Sequence, residues 1–198
     1  MGRRIGILGG SFNPVHKGHI QLALTAKQVF SLQDIIMIPC KTPPHKSSNE
    51  LASGEHRIRM CEIAAENTGI IVSDIEQNLD GASYSYRTLE KLKMIYPYDT
   101  LVLICGTDMF NTLLSWKYPE RIFAAAEIGG IFRAGGDFQK MCELKEKYEQ
   151  CGAIVNIYEA HIPDISSTNV RYALKNGLDV SDILDKKVLD YIKQNDLY

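Results

Sequence analysis

The chain has 198 residues, of which 45% are hydrophobic and 23% are charged. These values are typical of one globular domain that buries enough surface to fold without disulfides. Its 22 basic and 24 acidic side chains give a formal net charge of -2. This balance argues against broad binding of nucleic acid or of an anionic membrane, whereas a few local cations would suffice for a small anionic ligand.

The five cysteines indicate a protein that stays reduced. Their number is odd and no CxxC occurs, so we expect a cytoplasmic protein with buried thiols at Cys61 and Cys105 rather than a disulfide framework. The basic start of the chain leads at once into a short strand, so we expect no signal peptide, and no apolar run reaches membrane-spanning length. The sequence leaves a homo-oligomer open.

Strands and helices alternate along the chain with short connections. Short apolar runs predict strands at 4–8, 34–38, 70–73, 101–105, 128–132 and 154–158. Helical periodicity and caps predict helices at 17–30, 53–67, 83–95, 109–114, 119–125, 138–150, about 166–175 and 186–194. This alternation predicts an α/β fold of the Rossmann-like, doubly wound kind: a mainly parallel sheet with helices on both faces. We expect one domain over residues 1–198, with a small helical part from about residue 166.

The segment from Gly9 to His19 joins the first strand to the first helix. Glycines between a strand and a helix commonly present backbone N–H groups to a phosphate. His16 and His19, three residues apart, lie on one side of the helix start, where both can donate hydrogen bonds to a phosphoryl oxygen. Gly18 between them lets a ligand approach the backbone. A solvated histidine without a role and a zinc pair are the alternatives, but no Glu or Cys stands at ligand spacing.

Two further cations follow predicted element ends. Lys46 lies on a loop stiffened by three prolines, where it is able to reach a triphosphate; an ordinary solvated lysine is the alternative. Arg171 lies one turn into a helix that Ser166 or Ser167 caps, which resembles an anion site. An ordinary cap beside a surface arginine explains that pattern about as well.

Two residues further along suit the base and the ribose of a nucleotide. Asp108 follows the fourth strand and can accept hydrogen bonds from ribose hydroxyls, or it caps the next helix. Trp116, the one tryptophan, can stack on a flat ring, although core packing is the more usual role. His56 and His161 have no evident partners and are expected to be ordinary.

Several of these segments resemble a known family. Gly-Gly-Ser-Phe-Asn-Pro-Val-His-Lys-Gly-His at 9–19 resembles the HxGH signature of the nucleotidyltransferase superfamily, and Ile-Ser-Ser-Thr-Asn-Val-Arg at 165–171 resembles its ISSTxxR signature. The landmarks Pro-Pro-His-Lys at 43–46, Gly-Ala-Ser-Tyr-Ser-Tyr-Arg-Thr-Leu at 81–89 and Gly-Thr-Asp at 106–108, with Trp116, resemble the bacterial nicotinate-nucleotide adenylyltransferases. The resemblance runs in order over nearly the whole chain.

The resemblance implies an enzyme of NAD biosynthesis that uses ATP, nicotinate mononucleotide and Mg²⁺. It implies that ATP phosphates are contacted by the catalytic residues His16, His19, Lys46 and Arg171. It implies an ATP site that comprises Gly9, Gly10, Ser11, Phe12, Gly106, Asp108, Ser166, Ser167 and Thr168, with the metal held mainly by the ATP phosphates. The implied nicotinate site comprises Ser83, Tyr84, Ser85, Trp116 and Tyr118. The dipole of the helix that begins near Ser85 would favour the acid over the amide.

The sequence departs from the family pattern at a few positions. Ser11 and Asn13 replace the more usual Thr and Asp of the first signature, and Ala82 replaces a usual Pro. Ser11 keeps a hydroxyl, whereas Asn13 removes a charge, which could alter a neighbouring contact. Pantetheine-phosphate adenylyltransferase is the nearest rival enzyme. A nucleotide sensor without catalysis and a purely structural domain are the rivals from other classes.

Overall fold

The structure is a computed structural model and describes residues 2–41, 51–79, 81–133 and 138–198. The strands are Arg4–Gly10 (β1), Asp34–Pro39 (β2), Ile70–Val72 (β3), Thr100–Gly106 (β4), Glu127–Arg133 (β5) and Val155–Ala160 (β6). The helices are Lys17–Val29 (α1), Gly54–Ala65 (α2), Ser85–Ile95 (α3), Thr107–Thr112 (α4), Pro119–Ala125 (α5), Phe138–Gln150 (α6), Ser167–Lys175 (α7) and Lys186–Gln194 (α8), with a 3-10 turn at Leu113–Ser115. Within the described ranges, every helix is too short or too polar to span a lipid bilayer.

The strands form one sheet in the order β3-β2-β1-β4-β5-β6. The pairs β1–β4, β4–β5 and β5–β6 are parallel, and Ile5 stands opposite Leu101 in the first of them. Since the chain moves outward from β1 in one direction and then in the other, right-handed crossovers place helices on both faces. The predicted α/β, doubly wound fold is confirmed.

The chain divides into two compact units. Unit one comprises Met1–Leu8, Leu22–Ile36 and Tyr84–Ile162. In it, two glycines of β5 make room for large rings: a Cβ on Gly129 would lie 2.7 Å from the ring of Phe30, and one on Gly130 would lie 2.7 Å from the ring of Phe110. The hydroxyl of Tyr148 on α6 donates to the carbonyl of Phe110. Large aromatic rings therefore pack against the β5 strand of unit one.

Unit two comprises Gly9–Gln21, Met37–Ser83 and Pro163–Tyr198. Its helix α2 packs on β3 and α8. The buried face of α2 includes Met60 and Cys61, and α8 contributes Val188 and Ile192 to the core. The first signature segment and the last two helices of the chain therefore belong to one compact unit. The prediction of a single domain over residues 1–198 stays a prediction.

The structure differs from the sequence prediction at element ends. β1 continues through Gly9 and Gly10, because the strand stays paired to its end: the Cys40 N–H donates to the Gly10 carbonyl at 2.9 Å. Helix α3 begins at Ser85 rather than at Ser83, since Tyr84 takes the cap position without a side-chain hydrogen bond. The Ser83 hydroxyl instead accepts the Lys41 N–H at 2.9 Å.

Candidate active site

Unit two carries the turn between β1 and α1. Phe12 has a left-handed backbone with φ 45° and its side chain is only 1% exposed. Its ring lies against Gly10, where a Cβ would come within 2.9 Å, and meets the His19 ring edge-on at 4.9 Å. Gly9, in contrast, has nothing within 4 Å of where a Cβ would be. The Phe12 ring therefore packs against the turn at Gly10, whereas the space beside Gly9 is open.

His16 and His19 form a stacked pair, with ring centroids 3.6 Å apart and planes 23° apart. The backbone N–H of His16 donates to Nδ1 of His19 at 3.2 Å. A neutral His19 therefore carries its proton on Nε2, where it can donate to a ligand. The space that Gly18 leaves is filled by His16: a Cβ there would lie 3.1 Å from Nδ1 of that ring. The structure therefore brings the predicted pair together, and the lack of a side chain at Gly18 makes room for the His16 ring.

The charge state of His16 follows from its burial. His16 is 5% exposed, and its Nδ1 has no hydrogen-bond partner among the residues that the structure describes. Burial, which disfavours the charged ring, lowers the pKa of His16 from 6.5 to about 4. His16 is therefore neutral at pH 7, where its ring is able to hydrogen-bond but carries no positive charge.

Helix α7 brings the second signature to the same turn. The Ser166 hydroxyl accepts the Asn169 N–H at 3.2 Å and so caps α7, as one of the two predicted alternatives requires. The Ser167 hydroxyl donates to the Pro14 carbonyl at 2.9 Å, and Nη1 of Arg171 donates to the Asn13 carbonyl at 2.9 Å. The two signatures, far apart in sequence, therefore contact each other within unit two. Thr168 is exposed in the first turn of α7.

Sequence reasoning missed Arg57, which is fully buried on α2. Its guanidinium donates to three backbone carbonyls: those of Ser11 at 2.9 Å, Ala52 at 2.9 Å and Lys41 at 3.2 Å. These bonds tie the turn after β1 to residues on both sides of the 42–50 segment. The sequence did contain a signal for its burial. Arg57 stands three residues before Met60 and four before Cys61, which places it on the same buried face of the helix.

Lys46 and the rest of the 43–46 landmark lie outside the described residues. The expectation that His56 has no partner is wrong, because its Nδ1 lies 2.9 Å from the Tyr191 hydroxyl. That contact follows from the packing of α2 against α8, which sequence spacing does not reveal.

Unit one carries the residues predicted for the base and the ribose. Gly106 takes the cap position of α4, and Asp108 lies in the first turn of that helix. Since glycine at the cap position has no side chain to accept a hydrogen bond, Asp108 adds charge to the first turn rather than acting as the cap residue. Trp116 is half-buried, and its Nε1 donates to Oγ1 of Thr112 at 3.2 Å.

An aromatic cluster surrounds the predicted nicotinate residues of unit one. Tyr118 caps α5 in a left-handed conformation with φ 55° and is 45% exposed. The ring of Tyr86 lies 5.2 Å from that of Tyr118 and 6.1 Å from that of Tyr84. The Lys117 ammonium lies 4.5 Å from the centroid of the Tyr84 ring. The sequence prediction named Tyr84 and Tyr118 but missed Lys117, which adjoins Trp116 in the chain.

Three comparisons identify the relatives of the chain. The cytidylyltransferase-like family model matches residues 7–173. Two curated relatives are each named "probable nicotinate-nucleotide adenylyltransferase". The one from Citrifermentans bemidjiense is 34% identical, with 98% of each chain covered, and the one from Clostridium botulinum is 37% identical, with 97% of each covered.

A solved structure shares the fold. It is the Plasmodium falciparum nicotinic acid mononucleotide adenylyltransferase complexed with NaAD, with a TM-score of 0.79 at 22% identity; 99% of this chain and 97% of that chain are covered. The match of the family model and the identity to the curated relatives extend over both signature segments. The chain therefore belongs to the cytidylyltransferase-like family, in the branch of its nicotinate-nucleotide adenylyltransferase relatives.

Proposed function

We propose that this chain transfers the adenylyl group of ATP to nicotinate mononucleotide, giving nicotinate adenine dinucleotide and pyrophosphate. A phosphate oxygen of the mononucleotide attacks the α-phosphorus of ATP and forms the new P–O bond. The bond from that phosphorus to the bridging oxygen breaks, and pyrophosphate leaves with the electron pair. Such a reaction depends on positioning and on stabilising negative charge, and needs no covalent enzyme intermediate.

The observation that carries the proposal is the stacked His16–His19 pair on the turn that Arg171 contacts, within unit two. Burial keeps His16 neutral, and the hydrogen bond to Nδ1 of His19 directs the proton of that ring to Nε2. Both rings then serve as hydrogen-bond donors to phosphate oxygens. His19, which carries a directed N–H, is the more important donor of the pair.

Other residues of unit two complete the proposed phosphate site. Gly9 is open to close approach of a ligand to the backbone, and the N-terminus of α7 adds free N–H groups. Arg171 adds a guanidinium charge, and Lys46 is proposed to add an ammonium. Mg²⁺ would be held mainly by the ATP phosphates, where it would neutralise part of their charge. The imidazoles and cations proposed here suit phosphate oxygens rather than a metal ion, which supports a metal held mainly by the ATP phosphates.

Unit one supplies the proposed nicotinate and ribose contacts. Trp116 is proposed to stack on the pyridine ring, with the backbone near Ser85 and Tyr118 binding the carboxylate. Ser85 is the first residue of α3, so the partial positive charge of that helix end favours the acid over the amide. Asp108 is proposed to bind a ribose. Phe12 is proposed to act through His19, because its own ring is buried.

We also propose a cytoplasmic protein that functions as a single nucleotidyltransferase domain. None of the five cysteines forms a disulfide, and Cys61 and Cys105 are buried as thiols, which suits a reducing compartment.

The test is a pyrophosphate-release assay of the purified protein with Mg-ATP. Nicotinate mononucleotide, nicotinamide mononucleotide and phosphopantetheine are compared as acceptors in parallel. We expect turnover to be fastest with nicotinate mononucleotide. Fastest turnover with phosphopantetheine would favour the rival enzyme. ATP binding without turnover on any acceptor would overturn the proposal in favour of a sensor.

Replacement of His19 tests the reacting centre. His19→Ala should lower kcat by about 10²–10³-fold, since it removes a donor that is preorganised for the charge that develops. His161→Ala is the matched control, because His161 is exposed and lies outside both signature segments. A wild-type rate in His19→Ala, with the protein folded, would show that the turn is not the reacting centre.

A further inference from the structure

The turn that precedes the histidine pair is held by a residue with no role in the function described above. The Tyr198 hydroxyl donates to Oδ1 of Asn13 at 2.6 Å, across 185 positions of sequence. The same Oδ1 accepts the Ala52 N–H at 3.0 Å. Asn13 is 4% exposed, so its side chain is an internal junction between two distant parts of unit two.

The junction lies close to the proposed reacting groups. Asn13 is three residues before His16, and its backbone carbonyl accepts a hydrogen bond from the Arg171 guanidinium at 2.9 Å. A shift of Asn13 therefore moves a contact of Arg171 and the start of the segment that carries both imidazoles. Displacement of a preorganised group by about 1 Å is able to cost roughly 10²-fold in rate.

The environment of Tyr198 suits a fixed hydrogen-bond donor. Burial raises the pKa of Tyr198, so its hydroxyl stays protonated at neutral pH. Arg57 contacts the same turn through the Ser11 carbonyl. The turn from Ser11 to Asn13 is thus held both by α2 and by a residue beyond α8.

We propose that Tyr198 is a positioning residue for adenylyl transfer, which acts through the side chain of Asn13 on the placement of Arg171 and the two imidazoles. This inference rests on the proposed function. The role of Tyr198 is indirect, because its hydroxyl is bound to Oδ1 of Asn13 and fixes the side chain on which the turn depends.

The decisive comparison is Tyr198→Phe against Tyr191→Phe. Both changes remove one tyrosine hydroxyl from the same part of unit two, but the Tyr191 hydroxyl contacts His56 on α2, at 2.9 Å, rather than the side chain of Asn13. We expect Tyr198→Phe to lower kcat about 3- to 10-fold, the equivalent of one hydrogen bond. KM for ATP should change less than about 2-fold. Equal kcat values for the two variants, measured well below their Tm, would overturn the proposal.

A double-mutant cycle tests the route through Asn13. Asn13→Asp keeps an acceptor oxygen at this position, so Tyr198→Phe should still lower kcat in that background. Asn13→Ala removes the acceptor, so Tyr198→Phe should have no further effect there. A full effect of Tyr198→Phe in the alanine background would refute the route, even if Tyr198 affects the rate.

A measurement without turnover separates this inference from the proposed function. The imidazole NMR signals of His16 and His19 report the position of the turn in the absence of any substrate. Tyr198→Phe should shift these signals and Tyr191→Phe should leave them in place. If the wild-type protein proves inactive on all three acceptors, the proposed function fails. Unshifted signals in Tyr198→Phe would then show that the positioning role fails as well.

Discussion

Replacement of His16 by glutamine should change how stability depends on pH. His16 is 5% exposed, and burial lowers its pKa to about 4. In the unfolded chain the ordinary pKa of 6.5 returns. As the pH falls below 6.5, the unfolded state takes up the proton first, so the folded state loses stability until the pH reaches about 4. Glutamine has no such titration, and His16→Gln should lack this loss.

The magnitude follows from the two pKa values. The full loss approaches about 3 kcal/mol below about pH 4, because each pKa unit is worth about 1.4 kcal/mol. Between pH 7 and pH 5 the same linkage gives a loss of about 2 kcal/mol. This is a large part of the roughly 5–15 kcal/mol that stabilises a typical domain. Only the difference between wild type and variant isolates His16, since other groups titrate in both proteins.

Urea unfolding at pH 7, 6, 5 and 4.5 measures the effect. The stability of wild type minus that of His16→Gln should fall by about 2 kcal/mol from pH 7 to pH 5. His161→Gln, at an exposed site, should run parallel to wild type throughout. A difference between wild type and His16→Gln that is independent of pH would refute the reasoning, since it would mean that the folded protein protonates His16 as readily as the unfolded chain.

Two further predictions concern the cap of α2 and the cysteines. The Ser53 hydroxyl accepts the His56 N–H at 3.3 Å. Ser53→Ala should therefore lower the free energy of unfolding in urea by about 1 kcal/mol, and Ser53→Asp should restore most of that loss. Equal stability of wild type and Ser53→Ala would contradict a capping role for Ser53. An aromatic disulfide reagent at pH 8 should modify the exposed Cys151 first and should reach Cys61 and Cys105 only on unfolding. Burial raises the pKa of the Cys61 and Cys105 thiols, that of Cys105 to about 12. Fast modification of either thiol in the native protein would contradict its burial.

Much of the fold could be predicted from the sequence because its signals are local. Apolar runs too short for helices indicated the strands, and helical periodicity with caps indicated α5, α6 and α8 at their observed bounds. Element ends were less predictable. Gly9 and Gly10 were expected to form a turn, yet they complete β1, because pairing along the sheet overrides the flexibility of glycine.

The candidate site was predictable where a motif names its residues. The residue types, their spacing and the helix start at His16 and His19 are enough to indicate phosphate binding. The contacts that hold this turn were not predictable in the same way. Arg57 could be noticed as a charge on an apolar helix face, but its three carbonyl partners come from separate segments.

The sequence by itself determined the candidate chemistry: a first signature with two histidines at a helix start that follows a strand, and a second signature at 165–171. Only the tertiary structure decided their physical state. The pKa of His16 is low because the fold buries it, and the turn is fixed because Tyr198 and Ala52 both reach the side chain of Asn13. Burial and long-range hydrogen bonds depend on which segments meet in space, and no local pattern records that.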